Sequence, residues 1–409
     1  MESLADRLKS LGVQIGTSNL LKPAVQDTEY PIQDVVDGYF DETPLGQTFV
    51  FEKMYPADYR QGEIELTQSP DLSVISAWAK LDPEVHLEWK KMVFLDTETS
   101  GLAGGSGSFA FLIGLGFIMP EGFRLIQLFM RDPAEEGALL ATLGRFLVGY
   151  DTVVTFNGKT FDIPLLNNRH VLNKQSSPFS TFNHIDMLPM ARRIWRNRLP
   201  SRALKDLEVD ILHLTRSEDE VPGWMIPDMY FDFLRTRDAR PMAGIFYHNG
   251  MDILSLAALT ASTGELLASP LQAENVAALD LIAIAKLYED IKQPQVALQL
   301  YERSLQYGLP EDFYIQTLQR YAILYRRQGN WPEALRLWTQ LAELNNFEGA
   351  VDAAKCCEHQ LRDIKQAIAW TEKAGLILDK MQCSVTLRKL MKKDLATRHA
   401  RLIKLAEKL

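Results

Sequence analysis

Short apolar runs alternate with amphipathic segments over residues 92–265. The run 92–95 leads directly into Asp96 and Glu98, and further apolar runs cover 108–117, 123–129 and 152–156. Runs of this length, bounded by turn residues, are typical of buried strands. The pattern predicts helices from Pro133 to about Val148, from Thr160 onward, and over the apolar residues after Asp252. Strands alternating with helices predict an α/β domain with a mixed central sheet.

The C-terminal part of the chain has a wholly helical pattern. Ala297, Ala334 and Ala367 occupy similar apolar segments, 37 and 33 residues apart. Aromatic residues lie nine before and four after the first two alanines: Tyr288, Tyr301, Tyr325 and Trp338. The spacing resembles the tetratricopeptide repeat, whose period is 34 residues, although the third unit is degenerate. An unrelated helical bundle is the alternative.

The residues before 92 have the least regular pattern. A helix is expected over 1–11, a strand over 48–51 and a helix over 72–80. We therefore predict three parts: an extension packed on the next domain (1–91), the α/β domain (92–265), and an all-α, tetratricopeptide-like array (270–409) that either binds a protein partner or braces its neighbour.

Composition excludes several classes of protein. The net charge of −9 gives no global case for nucleic-acid binding, so any polyanion site must be a local patch. Three cysteines cannot form a disulfide framework and indicate reduced thiols. We expect no signal peptide, no apolar stretch of about 18 residues able to span a bilayer, no membrane partner and a cytoplasmic location.

One local basic patch is present at residues 187–205. This stretch contains no acid but six cations: Arg192, Arg193, Arg196, Arg198, Arg202 and Lys205. It either flanks a phosphate-binding path or is a solvated helix face.

Candidate chemistry centres on the strand end at 96–98. Alternation places Asp96 and Glu98 on one face, where two carboxylates beside an apolar core repel each other unless a cation lies between them. A charged strand end beside a solvated loop is the alternative. Asp162 follows the turn at Asn157, and Asp252 begins an apolar run. Asp186, in a short apolar segment, is interpreted either as a structural acid or as one that supports the cation-binding acids without contacting the cation.

These motifs, in this order, resemble the DEDD exonucleases, which have a ribonuclease-H-like fold, and more closely their YprB-like branch. The resemblance covers about 94–259 and rests on Asp96-Thr-Glu98 with its Gly-rich loop, Arg131-Asp-Pro-Ala-Glu-Glu136, Asn157-Gly-Lys-Thr-Phe-Asp162 and Tyr247-His-Asn-Gly-Met-Asp252. It implies that the four acids Asp96, Glu98, Asp162 and Asp252 bind two metal ions. Oxygen ligands suit Mg²⁺ or Mn²⁺.

The fifth residue departs from the family pattern. The family places a Tyr with three intervening residues, or a His with four, before the last Asp; here His248 has three and Tyr247 has four. Residues four apart share a helix face, so His248 is the candidate catalytic residue that activates water. A capping role for His248, or a helix interrupted at Gly250, would favour Tyr247.

The function implied by the resemblance is 3′–5′ exonuclease action on single-stranded DNA or RNA. Asn157, Lys159, Arg192, Arg193, Arg196 and Arg198 are the candidate substrate-binding residues, although Asn-Gly is also a good turn sequence. The alternative is a weak or inactive nucleic-acid-binding or scaffold protein that acts through its repeats. A third class, nucleotidyl transfer or another metal hydrolase on the same fold, stays open.

Overall fold

The computed structural model describes residues 30–101, 107–216 and 220–408. The helix expected over 1–11 and most of the Gly-rich loop lie outside these residues. Nine strands are described, in chain order β1 (Gly38–Thr43), β2 (Gly46–Pro56), β3 (Arg60–Gln61), β4 (Ile64–Glu65), β5 (Met92–Thr99), β6 (Ala110–Met119), β7 (Gly122–Phe129), β8 (Thr152–Thr155) and β9 (Asn183–Asp186).

Seven of these strands form one mixed sheet in the order β1-β2-β7-β6-β5-β8-β9. β5, β8 and β9 run parallel, and the remaining neighbours are antiparallel. The predicted α/β fold with a mixed central sheet is confirmed. Strands β6 and β7 are buried on both faces because helices cover the sheet on both sides.

The described helices of the central part are α1 (Ser73–Ala79), α2 (Glu136–Phe146), α3 (Asp162–Leu172), α4 (Met187–Trp195), α5 (Leu204–Asp210), α6 (Ile226–Thr236) and α7 (Met242–Ala268). α2 begins later than predicted because Pro133–Glu135 forms a 3₁₀ turn, in which Asp132 accepts the Ala134 N–H at 3.0 Å. α3 begins at Asp162, two residues after the expected capping residue Thr160.

The residues before 92 contribute to the same sheet. The hairpin β1–β2 continues it, since β2 pairs with β7 from Phe49↔Phe129 to Pro56↔Gly122. α1 packs against α7. The predicted strand at 48–51 lies within β2, which is longer than expected.

α7 is the central helix, and it packs against β5 and β6. It begins at Met242, ten residues before the apolar run that predicted it. By length and composition alone, α7 could cross a membrane, which corrects the expectation that no such stretch exists. However, 67% of its most apolar window is buried inside the protein, as in the core helix of a globular domain.

The C-terminal part is all-helical, as predicted: α8 (Ala278–Asp290), α9 (Pro294–Gln306), α10 (Glu311–Arg327), α11 (Trp331–Glu343), α12 (Phe347–Cys356), α13 (Ile364–Lys380) and α14 (Val385–Ala406). Ala297, Ala334 and Ala367 are fully buried at helix contacts. The three cysteines are free thiols, two of them buried.

The helical array and the central domain share one hydrophobic core. Ile194 and Trp195 of α4 belong to the same buried cluster as Leu281 and Ile284 of α8. Arg198 bonds Asp280 across this contact, with Nε 2.7 Å from Oδ2. The array is therefore packed directly on the central domain.

Candidate active site

β5 presents its two acids on the face covered by α7. Met92 and Phe94 of β5 pack into the cluster that contains α7, whereas Val93 and Leu95 pack on the opposite side of the sheet. Alternation continues this pattern, so Asp96 and Glu98 follow Phe94 on the α7 side. Both acids line a cavity of about 510 Å³ that also contacts Asn157 and Asp162.

Asp162 reaches this cavity from the start of α3. Its Oδ1 accepts a hydrogen bond of 2.6 Å from the Thr97 hydroxyl, and the side chain is almost fully buried. Thr97 lies between Asp96 and Glu98 on β5, so this bond fixes the third acid relative to the first two.

Asp96 is oriented by a buried polar network from α7 and β7. The Asn249 Nδ2 donates to Asp96 Oδ2 at 2.9 Å, and Gln127 Nε2 donates to Asn249 Oδ1 at 2.8 Å. Gly114, paired with Asp96 on the neighbouring strand, leaves the space that Asn249 fills. Asn249 is therefore a positioning residue for Asp96.

Burial and mutual repulsion raise the pKa of the carboxyl groups in this cluster. The pKa of Asp96 lies well above its ordinary value, because of burial and the charges of Asp252, Glu98 and Asp162. Burial and the charges of Asp252 and Asp162 raise the pKa of Glu98 to about 8. Burial raises the pKa of Asp162 to about 6, against the opposing bond from Thr97. An all-oxygen cluster with this much repulsion suits a hard divalent cation such as Mg²⁺ or Mn²⁺.

Asp252 faces a buried guanidinium. Arg216 donates to Asp252 Oδ1 as well as to Glu208, with Nε 2.6 Å from Glu208 Oε2, and to Glu220. Within the described residues, no three His, Cys, Asp or Glu side chains converge on one ion position. In this structure the charge of Asp252 is therefore balanced by Arg216.

Arg216 is itself almost fully enclosed by these acids. Its side chain is 3% exposed, and those of Glu208 and Glu220 are 1% and 6% exposed. Burial opposes its charge, but the bond to Glu208 and the charge of Asp252 outweigh it and raise the pKa of Arg216. Arg216 thus neutralises a set of buried carboxylates beside the candidate active site.

Arg216→Gln is expected to lower stability strongly, because it leaves Glu208 and Glu220 buried without their counter-charge. Breaking a buried ion pair from one side costs about 3–5 kcal/mol. Urea unfolding followed by circular dichroism measures the change. The matched control is Arg235→Gln, whose partner Asp232 is exposed and whose loss should cost less than about 1 kcal/mol. Equal midpoints for the two variants would contradict this assignment.

His248 and Tyr247 both lie inside α7, and Gly250 does not interrupt the helix. His248 Nε2 is 3.6 Å from Asp252 Oδ2 and 4.0 Å from Glu98 Oε1, and its Nδ1 is 3.1 Å from Glu220 Oε1. The last contact is poorly aligned as a hydrogen bond. Tyr247 interacts with Tyr55 and Tyr59. Burial raises the pKa of both of these tyrosines, and the charge of Tyr247 is a smaller cause of the same shift. His248 is therefore the residue of this pair that the ion-pair distances place beside two of the acids.

Asn157 and Lys159 lie in a turn whose backbone N–H groups donate hydrogen bonds to the Asp186 carboxylate. Asp186 Oδ1 accepts the Asn157 N–H at 2.7 Å and the Leu188 N–H at 3.1 Å, and its Oδ2 accepts the Lys159 N–H at 3.1 Å. Asn157 adopts a left-handed backbone with φ of 71°. Asp186 therefore fixes the backbone of this turn, which is the structural role among the two expected of it, and Asn157 lines the acid cavity.

The four candidate arginines of the basic run differ in their surroundings. Arg192 and Arg196 are exposed, and among the described residues no carboxylate lies within 4 Å of either. Arg193 bonds Asp290 at 2.5 Å. Arg198 is held by the buried Asp280, so its charge is already neutralised at the contact between α4 and α8.

Several residues that shape the site could not be found in the sequence. Thr97, Gln127 and Arg216 lie in strand or loop patterns where a polar residue has no unusual meaning. The one signal in the sequence was Asn249, a polar residue inside an apolar helix. Its partners Gln127 and Asp96 are 122 and 153 residues away along the chain.

Gly114→Ala is expected to displace Asn249 and weaken the cluster. A Cβ at position 114 would overlap the Asn249 side-chain oxygen and contact Ile253. We expect a loss of about 1–3 kcal/mol in stability, as for overpacked cores, and weaker Mn²⁺ binding by calorimetry. The control is Gly144→Ala in α2, where a Cβ meets nothing within 4 Å and should stabilise the helix by about 0.5–1 kcal/mol. Unchanged Mn²⁺ affinity in Gly114→Ala would contradict the positioning role of Asn249.

Comparison with known proteins agrees with this architecture. Residues 93–263 match the family model RNase_H_2, described as RNase_H superfamily. Over 368 residues the chain is 29% identical to "Uncharacterized protein YprB" of Bacillus subtilis (strain 168), covering 83% of this chain and 86% of that protein. The strand order and this match show that residues 93–263 form a ribonuclease-H-like domain similar to the RNase_H superfamily.

Proposed function

We propose that this protein is a metal-dependent exonuclease that hydrolyses the terminal phosphodiester bond at the 3′ end of single-stranded nucleic acid. The proposal rests on the cluster of Asp96, Glu98 and Asp162 at one cavity, with Asp252 and His248 beside it. Nuclease activity is typical of the ribonuclease-H-like fold. The 3′–5′ direction is taken from the resemblance to the DEDD exonucleases.

The four acids Asp96, Glu98, Asp162 and Asp252 would hold two Mg²⁺ or Mn²⁺ ions. When bound, such ions lower the pKa of water and neutralise charge on the leaving oxygen. Asn249 and Thr97 orient two of the acids by hydrogen bonds to Asp96 and Asp162. These positioning bonds allow the carboxylates to be arranged before substrate binds.

His248 is proposed to take the proton from the attacking water. Its Nε2 faces Glu98 and Asp252, while its Nδ1 lies beside Glu220. An imidazole beside carboxylates that hold metal is suited to general-base catalysis.

The substrate strand is proposed to enter between Asn157, Lys159 and the rim of the cavity. Phe161, on this rim, is 49% exposed and offers a face on which a base can stack. The exposed Arg192 and Arg196, together with Arg193, add positive charge nearby. Arg198 is left out of this path because it is paired with Asp280.

The alternative is a binding or scaffold protein that has lost catalysis. The contact of Arg216 with Asp252 favours it, because an arginine there takes the place of a cation at the fourth acid. Other metal-dependent phosphoryl chemistry on this fold is also compatible with the same acids.

Label position and substrate type distinguish these possibilities. Purified protein is incubated with Mg²⁺ or Mn²⁺ and with single- or double-stranded DNA and RNA, labelled at either end. A 5′-labelled single strand should give a descending ladder, and a 3′-labelled strand should release its label as a mononucleotide at once. The reverse pattern would contradict the direction. Internal cleavage would contradict exonuclease action.

A further inference from the structure

A basic cavity lies between the central domain and the helical array. It encloses about 550 Å³ between α4 and α8, and it is lined by Arg192, Arg193, Arg196, Arg202 and Lys286 together with Trp78 of α1. Among the described residues that line it there is no carboxylate. Five cations around one cavity are unexpected in a chain of net charge −9.

Two neighbouring cavities extend this surface, and Trp78 lines all three. A cavity of about 690 Å³ on the array side contains Lys80, Lys292 and Arg327, whose charge exceeds that of Glu289 and Asp290. A smaller one of about 200 Å³ contains Lys159. We call the three cavities together the basic seam.

The basic seam continues to the candidate active site. Lys159 lines the smallest cavity, and Asn157, two residues before it, lines the cavity of the acids. Asp186 holds both residues by their backbone N–H groups. A strand whose end lies at the acids can therefore pass Lys159 and reach Trp78 without leaving the surface.

The cations of the seam are only partly neutralised. Asp290 pairs with Arg193, and Glu289 lies 3.7 Å from Arg327. Among the described residues, no carboxylate lies within 4 Å of Lys286 or Arg202. Arg193 Nε and Arg202 Nε are buried, and neither has a hydrogen-bond acceptor among the described residues. Burial and the nearby charges of Arg320, Arg193 and Arg196 lower the pKa of Lys286. A bound polyanion would relieve the repulsion among these cations.

We propose that the basic seam binds the phosphate backbone of a single nucleic-acid strand extending from the active site, and that Trp78 stacks on one of its bases. The helical array then supplies part of the substrate path through Lys286, Lys292 and Arg327. Cationic side chains that contact the phosphate backbone, with an aromatic ring between them, are typical of single-strand binding. The seam also leads to the acid cluster, and an acidic peptide does not account for that continuity. The proposal rests on the proposed function for the position of the strand end.

Binding without cleavage tests the seam separately from catalysis. Fluorescein-labelled oligo(dT) and oligo(U) of about 4 to 16 nucleotides, the range of single-strand site sizes, are titrated in EDTA and followed by anisotropy. Wild-type affinity should rise with length. The array variant Lys286→Gln, Lys292→Gln, Arg327→Gln should bind the longest strands at least ten-fold more weakly. Its slope of log affinity against log salt should flatten by about 0.7 for each phosphate that the variant no longer neutralises.

The matched control carries the same charge change on α14: Lys389→Gln, Lys393→Gln, Lys404→Gln, all exposed. It should bind within two-fold of wild type. Trp78→Ala should weaken long-strand binding five-fold or more, whereas Trp78→Phe should retain most of it. Thermal melting of each variant shows whether it is folded.

Three outcomes would overturn the inference: an array variant that matches the control at every length, equal binding by Trp78→Ala and wild type, or equal competition by a poly-Glu peptide of the same length. The last would identify an acidic protein as the partner. Seam-dependent binding without any hydrolysis would support the seam and contradict the proposed exonuclease function, so the two can fail separately.

Discussion

Asp96→Asn is expected to lower phosphodiester hydrolysis by about 10³-fold or more while leaving the fold intact. The charges of all three other acids act on Asp96, and losing a central stabiliser of transition-state charge typically has an effect of this size. The same change should raise the stability of the metal-free protein at pH 8, because it removes one of the repelling charges that raise the pKa values within the cluster.

The sign of this stability effect follows from proton binding. A carboxyl group whose pKa is higher in the folded than in the unfolded protein holds more protons when folded, so stability falls as pH rises between the two values. For Glu98 that window runs from 4.5 to about 8. The pKa of Asp96 is raised in the same direction. Asn stays neutral at every pH, so Asp96→Asn should be more stable than wild type at pH 8 and close to wild type at pH 4, where the buried carboxyl groups of the folded wild type are protonated.

Urea unfolding in EDTA at both pH values measures this difference. Asp58→Asn, an exposed acid in the turn after β2, is the control and should track wild type at each pH. Mn²⁺ should stabilise wild type more than Asp96→Asn, because only wild type retains the full ligand set. An Asp96→Asn protein less stable than wild type at pH 8 in EDTA would contradict the repulsive cluster.

His248→Ala is expected to lower turnover by about 10²–10⁴-fold while nucleic-acid binding persists. The variant loses the group that transfers the proton, and proton transfer by a side chain contributes a factor of this size to catalysis. The residues that bind the strand are unchanged. His248 Nε2 lies beside Glu98 and Asp252, two of the proposed metal ligands. Single-turnover rates with saturating protein, measured beside anisotropy titrations, separate the two effects.

Tyr247→Phe is the matched comparison, because Tyr247 occupies the preceding position on the same helix but interacts with Tyr55 and Tyr59. It should retain turnover within a few-fold of wild type. A damaging Tyr247→Phe together with a mild His248→Ala would transfer the catalytic role to Tyr247.

The fold was predictable where local pattern and tertiary environment agree. β6 is a continuous apolar run, β5 begins with one, and β7 is apolar except for Arg124 and Gln127. Helices cover both faces of the sheet, and this produces a clear sequence pattern. The start of α7 was placed too late because its first ten residues, 242–251, mix apolar and polar positions. The pairing of β2 with β7 joins residues far apart along the chain, such as Pro56 and Gly122, which no local pattern encodes.

The acids of the candidate site could be predicted from the sequence, but the residues that orient or neutralise these acids could not. Asp96, Glu98, Asp162 and Asp252 stand in recognisable motifs, and the shared face of His248 and Asp252 follows from helix geometry. Arg216 lies in a polar loop, where a solvated and a buried arginine have the same sequence context. Its burial arises only when Glu208 and Asp252 are brought together by α5 and α7.

The measurement that tests the central claim most directly is hydrolysis of a 5′-labelled single strand by wild type and by Asp96→Asn, purified in parallel. Wild type should shorten the strand in Mg²⁺ or Mn²⁺ and leave it intact in EDTA, and Asp96→Asn should leave it intact in both. Hydrolysis by Asp96→Asn at the wild-type rate, or by wild type in EDTA, would contradict a metal-dependent acid cluster as the catalytic centre.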